Sequence, residues 1–187
     1  AMMLQHLVEA GHRKIAHIAG PSDLSTGVTR RHAFVQHAKQ LGLDLPEIAI
    51  ETSEGYSEAE GRASTQALLA RDWPMTAILC ANDRIAIGAI DTLRAVGLSC
   101  PGDVSVTGFN DIPFLDRIPP GLTTIQVMQF DVGRIAAELL VQMMTDPGAT
   151  VPSNVVLPVK LIERGSVAAP RKEGHAPREA TLLVRNG

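Results

Sequence analysis

Apolar residues follow two alternating rhythms along this chain. Short continuous runs are separated by longer stretches in which apolar positions recur every three to four residues, the marks of buried strands and amphipathic helices respectively. Met3–Ala10 reads as the end of a helix, stopped by Gly11. "KIAHIAG" (14–20) reads as a strand, Thr26–Leu41 as a helix ended by Gly42, and "EIAIET" (47–52) as a strand. In the next segment Ser57 and Glu60 have the spacing of a capping box at a helix start. "MTAILCA" (75–81) is a strand, Asp83–Val96 a helix closed by Gly97, and "DVSVTGF" (103–109) a strand. A strand–helix period of about 30 residues predicts right-handed βαβ units. The fold class expected is α/β, a doubly wound open parallel sheet with helices on both faces.

After Phe109 the rhythm breaks. "NDIPFLDRIPPGL" (110–122) holds three prolines and reads as a loop. "TTIQV" is a brief extended segment, and Phe130–Met144 is a helix with Val132, Ile135, Ala136, Leu139, Leu140 and Met143 at helical spacing. "NVVLPVKLIERGSV" (154–167) is extended, and Pro158 assigns it to an edge or a crossing segment. From Ala168 the chain is polar with interspersed Pro and Gly, the composition of a flexible tail, within which "TLLV" (181–184) could dock.

Composition removes several classes of function. The net charge of −3 and an aromatic content of 3% disfavour phosphate-backbone binding by this chain and stacking platforms for single strands. Cys80 and Cys100 lie at the edges of apolar runs and read as small buried hydrophobes in a reducing cytoplasm. No apolar stretch has bilayer length, no signal peptide is visible, and the six histidines lack ligand spacing, so neither membrane nor metal is expected. There is no phosphate loop, dinucleotide fingerprint or nucleophile elbow, so neither cofactor nor enzymatic activity is expected.

In an open α/β sheet, ligands bind beyond the carboxyl ends of the strands. Ser25, Thr26, Arg30, Tyr56, Asn82 and Asn110 gather at those tips. Together they supply hydroxyls, amides, a guanidinium and a phenol, which suits binding rather than reaction. Asp83 or Asn82 is also a natural helix N-cap, Thr26 could cap as well, and Tyr56 could act as a hydrophobic staple.

"GHRKIAHIAGPSDLSTGVTRRHAF" (11–34), "TAILCANDRIAIGAIDTLRAVGLSCPGDVSVTGFNDIP" (76–113) and "PPGLTTIQVMQFDVGRIAAELLVQMM" (119–144) closely resemble the LacI/GalR family of bacterial transcriptional regulators, in order and in spacing, from about His6 to Val167. The resemblance implies the C-terminal lobe of a periplasmic-binding-protein-like effector domain, truncated at its N-terminus. Residues 1–121 would form that lobe and 122–145 would return to a missing first lobe. Residues 146–167 would cross back, and 168–187 would be the tail.

The implied ligand contacts are Leu24, Thr26, Arg30, Tyr56, Asn82, Asn110 and, on the returning segment, Val127 and Gln129. Asn110 stands where the family often has Asp, which removes a charge, and the apolar Leu24 disfavours a strongly anionic effector. The implied partners are a sugar-like small molecule, a second copy of the chain, and operator DNA reached only through a missing helix-turn-helix headpiece. Asp83 is then expected to cap its helix and Asn82 to face the cleft. On that helix Ile85, Ala86, Ala89, Ile90, Leu93 and Val96 share one face and Ile87 falls among charges; the resemblance implies pairing through this helix and the loop "DIPFLDRI" (111–118), which makes Ile87, Phe114 and Leu115 dimer candidates. A periplasmic-type sugar-binding module is the competing reading. The helix Phe130–Met144, lacking its partner lobe, is expected to leave an apolar face exposed.

Overall fold

The computed structural model of the chain describes residues 1–146, 148 and 150–171. Four strands, β1 (Ile15–Ala19), β2 (Ile50–Thr52), β3 (Ala77–Cys80) and β4 (Ser105–Thr107), form a parallel sheet in the order β2-β1-β3-β4. Helices cover both faces, as the alternating rhythm predicts. α1 (Met2–Glu9) and α2 (Ser25–Gln40) enclose Leu4, Leu7, Ile15, Phe34 and Ala38 on one side. α3 (Glu58–Leu69) and α4 (Asp83–Ala95) enclose Ile18, Ile78, Ile85, Leu93 and Val106 on the other. Burial of these apolar faces is the main term holding the layers together, at about 25 cal/mol per Å² removed from water.

Helix boundaries follow the local signals. Gly11, Gly42 and Gly97 take positive φ where α1, α2 and α4 end, a conformation that glycine adopts without a Cβ penalty. The Ser57–Glu60 capping box forms in both directions. The strand expected over 47–52 is shorter. Pro46 leads into a single 3-10 turn, Glu47–Ala49, closed by Ala49 N–H donating to the Pro46 carbonyl, and pairing with β1 begins only at Ile50.

Beyond the proline-rich loop the chain forms β5 (Thr124–Val127), α5 (Gln129–Thr145) and β6 (Val159–Ile162). β5 and β6 pair antiparallel, and bridges from Thr107 to Thr123 and from Asn110 to Gln126 lay β5 alongside the tip of β4. α5 has no buried residue, and Phe130, Leu140 and Met144 are 83%, 58% and 74% exposed. The tail expected from 168 begins with docked residues. Ala168 O accepts from His12 Nε2 at 2.9 Å, and Arg171 pairs with Asp103 at 2.5 Å. The "TLLV" segment lies outside the described residues.

Three expectations about the α4 region are corrected. Leu115 is 1% exposed and belongs to the core under α4, so it cannot be a surface dimer contact. Ile87 does not point to water but is half-buried and packs on that core. The cause is a close crossing of α3 over α4 at Gly61 and Gly88, which widens the buried arc of the helix. Val96, past the last turn, is 39% exposed rather than part of the core face. Phe114 is 64% exposed, with the Arg117 guanidinium 5.4 Å from its ring centroid.

Candidate ligand-binding site at the strand tips

The order β2-β1-β3-β4 reverses direction between β1 and β3, and a crevice opens outside the carboxyl ends of strands at such a switch point. Arg30, in the second turn of α2, reaches across it. Its Nη1 donates to the Ala81 carbonyl at the end of β3 at 2.6 Å. The guanidinium also lies over the Phe109 ring, 4.2 Å from the centroid, at the end of β4, a favourable cation–π placement. Burial pulls its pKa below the ordinary value, while the nearby Tyr56 and Asp83 oppose that shift.

Tyr56 and Thr26 close one side. The Tyr56 phenol lies against Gly20, where an added Cβ would sit 2.2 Å from the phenolic oxygen, so a larger residue at the end of β1 would have to displace the ring. Its hydroxyl shares a 3.1 Å hydrogen bond with Thr26 Oγ1, joining the loops after β1 and β2. Tyr56 is not a staple, because the helical position it would pack against is Gly61, which has no side chain. Thr26 is not a cap either: Leu24 occupies the N-cap position of α2, with no side-chain capping bond.

The cap of α4 is Asn82 rather than Asp83, and neither side chain is left free for the cleft. Asn82 caps α4, its Oδ1 accepting from Ile85 N–H at 2.8 Å while its Nδ2 donates to the Tyr56 carbonyl at 3.0 Å. Asp83 is fully buried. Its Oδ1 accepts from Thr124 Oγ1 at 2.5 Å and its Oδ2 from Ile112 N–H at 3.0 Å. Desolvation raises its pKa, and the two hydrogen bonds partly counter that rise. An N-cap can be filled by either residue type, so the pair could not be resolved by pattern alone.

Asn110 and Asp111 follow β4 with φ of 124° and 58°. Such backbone is uncommon outside glycine and clusters at functional loops. Asn110 N–H donates to Ile125 O at 2.8 Å, which fixes the turn and leaves the carboxamide uncommitted to that bond. Asp111 accepts from Arg164 Nη2 at 2.7 Å and from Gln126 Nε2 at 2.8 Å. Both carboxylates near the tips are therefore committed to internal donors. Leu24 and Gln129 are exposed, and neither makes a side-chain hydrogen bond among the described residues. Asn110-Asp111 is one of the strand-tip places expected to face a ligand, whereas Phe109 was not singled out. The signal available for Phe109 was its position, directly before Asn110 at the end of a strand.

No group of His, Cys, Asp or Glu side chains among the described residues is arranged to hold a metal ion. Cys80 is buried and Cys100 half-buried, both free, and burial pushes the Cys100 thiol up to about 11. Neither is a thiolate at neutral pH. No helix among the described residues is long and apolar enough to cross a membrane.

Residues 4–167 match the family model of the periplasmic binding protein-like domain. The HTH-type transcriptional regulator MalR of Streptomyces coelicolor is 34% identical over 178 residues, covering 93% of this chain and 51% of its own length. A solved complex of the transcriptional regulator CelR with cellobiose superposes with a TM-score of 0.82 at 32% identity, covering 87% of this chain and 49% of that one. A dimeric Lac repressor lacking 11 C-terminal residues superposes at 0.83 and 30% identity, covering 90% and 60%. The chain spans about half the length of the curated relatives it matches. The chain belongs to the periplasmic binding protein-like domain family, and its relatives are LacI-family transcriptional regulators.

Proposed function

We propose that this chain is the effector-sensing lobe of a LacI-type transcriptional regulator and that a neutral, hydroxyl-rich small molecule of the sugar class binds at the strand tips. The observation that carries the reading is Arg30, which spans the tips of β3 and β4 through Ala81 O and Phe109. Beside it stand the Thr26 and Tyr56 hydroxyls and the Asn110 amide. Asp83 and Asp111 are occupied by internal donors, so the groups left to a ligand are neutral donors and acceptors plus one cation. That set suits hydroxyls. The Tyr56 ring offers a face for an apolar side of a sugar. Asn82 would act through its cap, holding the Tyr56 loop, while Leu24 and Gln129 would line the rim. The CelR–cellobiose complex supports the sugar class by analogy.

Residues 1–121 would form the sensing lobe, 122–145 would return to a first lobe, and 146–167 would cross back. In such a protein, ligand closure of two lobes would shift the arrangement of DNA-binding headpieces, coupling two sites through one conformational equilibrium. Operator DNA would be reached through those headpieces, in the cytoplasm. Ile87 and Phe114 remain the candidates for contact with a second copy, as in a dimeric repressor. The competing reading, a periplasmic sugar carrier, is not favoured, because the relatives are HTH-type regulators. Thermal unfolding with a panel of mono- and disaccharides tests the site. A saturable rise in Tm with one sugar, lost in Thr26→Ala and in Tyr56→Ala, is expected. A rise that both variants retain would contradict it.

A further inference from the structure

The turn after β4 is held in an unfavourable backbone conformation. Asn110 and Asp111 have φ of 124° and 58°, in the region that favours glycine. Such backbone persists only where its surroundings fix it from several sides. Asn110 N–H donates to Ile125 O at 2.8 Å, and Ile112 N–H donates to Asp83 Oδ2 at 3.0 Å. These bonds hold the first and last residues of the turn. The middle residue, Asp111, is held through its side chain.

That hold comes from distant segments of the chain. Arg164, two residues past β6, donates from Nη2 to Asp111 Oδ1 at 2.7 Å and from Nη1 to the Leu122 carbonyl at 2.8 Å. Gln126 Nε2 donates to the other Asp111 oxygen at 2.8 Å. The Asp111 and Arg164 side chains are 10% and 20% exposed, so water screens this pair far less than a surface pair. Arg164 is itself fixed: its N–H donates to Thr123 Oγ1 at 2.9 Å, and that hydroxyl donates to the Arg164 carbonyl at 3.1 Å. A planar guanidinium serves a carbonyl and a carboxylate at once through two nitrogens, which the point charge of an ammonium does less well. The Asn110 carboxamide, by contrast, makes no hydrogen bond among the described residues.

We infer that Arg164 is a positioning residue for the strand-tip site: by holding Asp111 it keeps the turn at positive φ and aims the Asn110 carboxamide at a ligand hydroxyl. This rests on the reading of the strand tips as a sugar site. Arg164 acts through Asp111 and touches no ligand itself.

The test compares Arg164→Met, which keeps the apolar stem and removes the donors, with Arg164→Lys, which keeps the charge. In the wild-type chain, NMR is expected to show for Asp111 the strong cross-peak between its own amide and α protons that marks positive φ. Arg164 is expected to give separate, slowly exchanging guanidinium signals. In Arg164→Met the Asp111 cross-peak weakens and the Asn110 amide exchanges about tenfold faster, the size of one charge-assisted hydrogen bond, while the amides of β1 and β3 keep their protection. Arg164→Lys restores part of both. Titration with glucose, galactose, maltose and cellobiose reads the site: a sugar that saturates the wild type binds Arg164→Met about tenfold more weakly, with Arg164→Lys in between. An unchanged turn in Arg164→Met would overturn the proposal, as would an unchanged affinity for the sugar that the wild type binds. If Arg164→Met does not fold, the wild-type spectrum decides, since averaged, freely exchanging Arg164 signals would overturn the proposal. Binding of none of the four sugars by the wild type, with the turn lost in Arg164→Met, would count against the sugar reading and still support Arg164 as the residue that sets the turn.

Discussion

The hydroxyl of Thr124 donates to the Asp83 carboxylate at 2.5 Å, tying the first residue of α4 to the first residue of β5. With Ile112 N–H on the other oxygen, one side chain gathers the helix, the loop after β4 and the returning strand. Gly108 is required beneath it, since a Cβ there would lie 2.2 Å from Asp83 Oδ1. Asp83→Ala leaves two buried donors unpaired and is expected to cost about 2–4 kcal/mol. Asp83→Asn, which keeps the volume but turns one acceptor into a donor, is expected to cost less. Urea unfolding measures both, and stability unchanged in Asp83→Ala would show the tie to be dispensable.

The crossing of α3 and α4 makes a second demand. A Cβ on Gly61 would sit 2.3 Å from Ile85 O, and one on Gly88 would sit 2.2 Å from Glu58 O. These are backbone atoms, which cannot swing aside. Helix propensity favours alanine by about 1 kcal/mol at either position, but overpacking costs about 1–3 kcal/mol or more. Gly88→Ala is expected to lower Tm despite the better helix former. A rise in Tm would mean that the helices separate readily.

Stability is expected to fall as pH drops from neutral to 4. His17 has its pKa lowered from 6.5 to about 4 in the fold. Between those values the unfolded chain takes up a proton that the folded chain refuses, so the contribution is complete above about 6.5 and lost as pH falls to about 4. A shift of this size corresponds to about 3 kcal/mol. His12, also lowered by burial, acts in the same direction, whereas the raised pKa of Asp83 acts in the opposite one. Denaturant midpoints measured from pH 7 to pH 4 should slope downward, and His17→Phe should flatten much of that slope. An unchanged slope would place the titrating groups elsewhere.

α5 predicts association. Its apolar residues, including Leu140 and Met144, are exposed together, and contiguous apolar patches drive self-assembly. Light scattering at about 50 µM, a concentration at which contacts of modest affinity register, should show species above the monomer. Leu140→Lys with Met144→Lys should reduce them. A clean wild-type monomer would contradict the prediction.

Much of the sheet and its covering helices was legible because periodicity and glycine stops act locally. β1, β3, α3 and α4 and their terminators follow from residues within one element. The site was legible as a set of strand-tip residues, but the use of each side chain was not. Asn82 and Asp83 are equally good caps, and the choice depends on Thr124 and Ile112, distant in sequence. Leu115 lies in a proline-rich loop that reads as surface, yet it folds under α4 because Leu122 N–H donates back to its carbonyl. Ile87 sits among charges on a helical wheel, but the glycine crossing brings neighbouring bulk around it.

Calorimetric titration of a sugar panel into the chain, wild type and Arg30→Ala, is the most direct test of sugar binding at the strand tips. Saturable binding of one neutral sugar by the wild type is expected. At least about a hundredfold loss is expected in Arg30→Ala, the size that follows removal of a charge-assisted anchor. Undiminished affinity in Arg30→Ala, or sugar binding by neither protein, would contradict it.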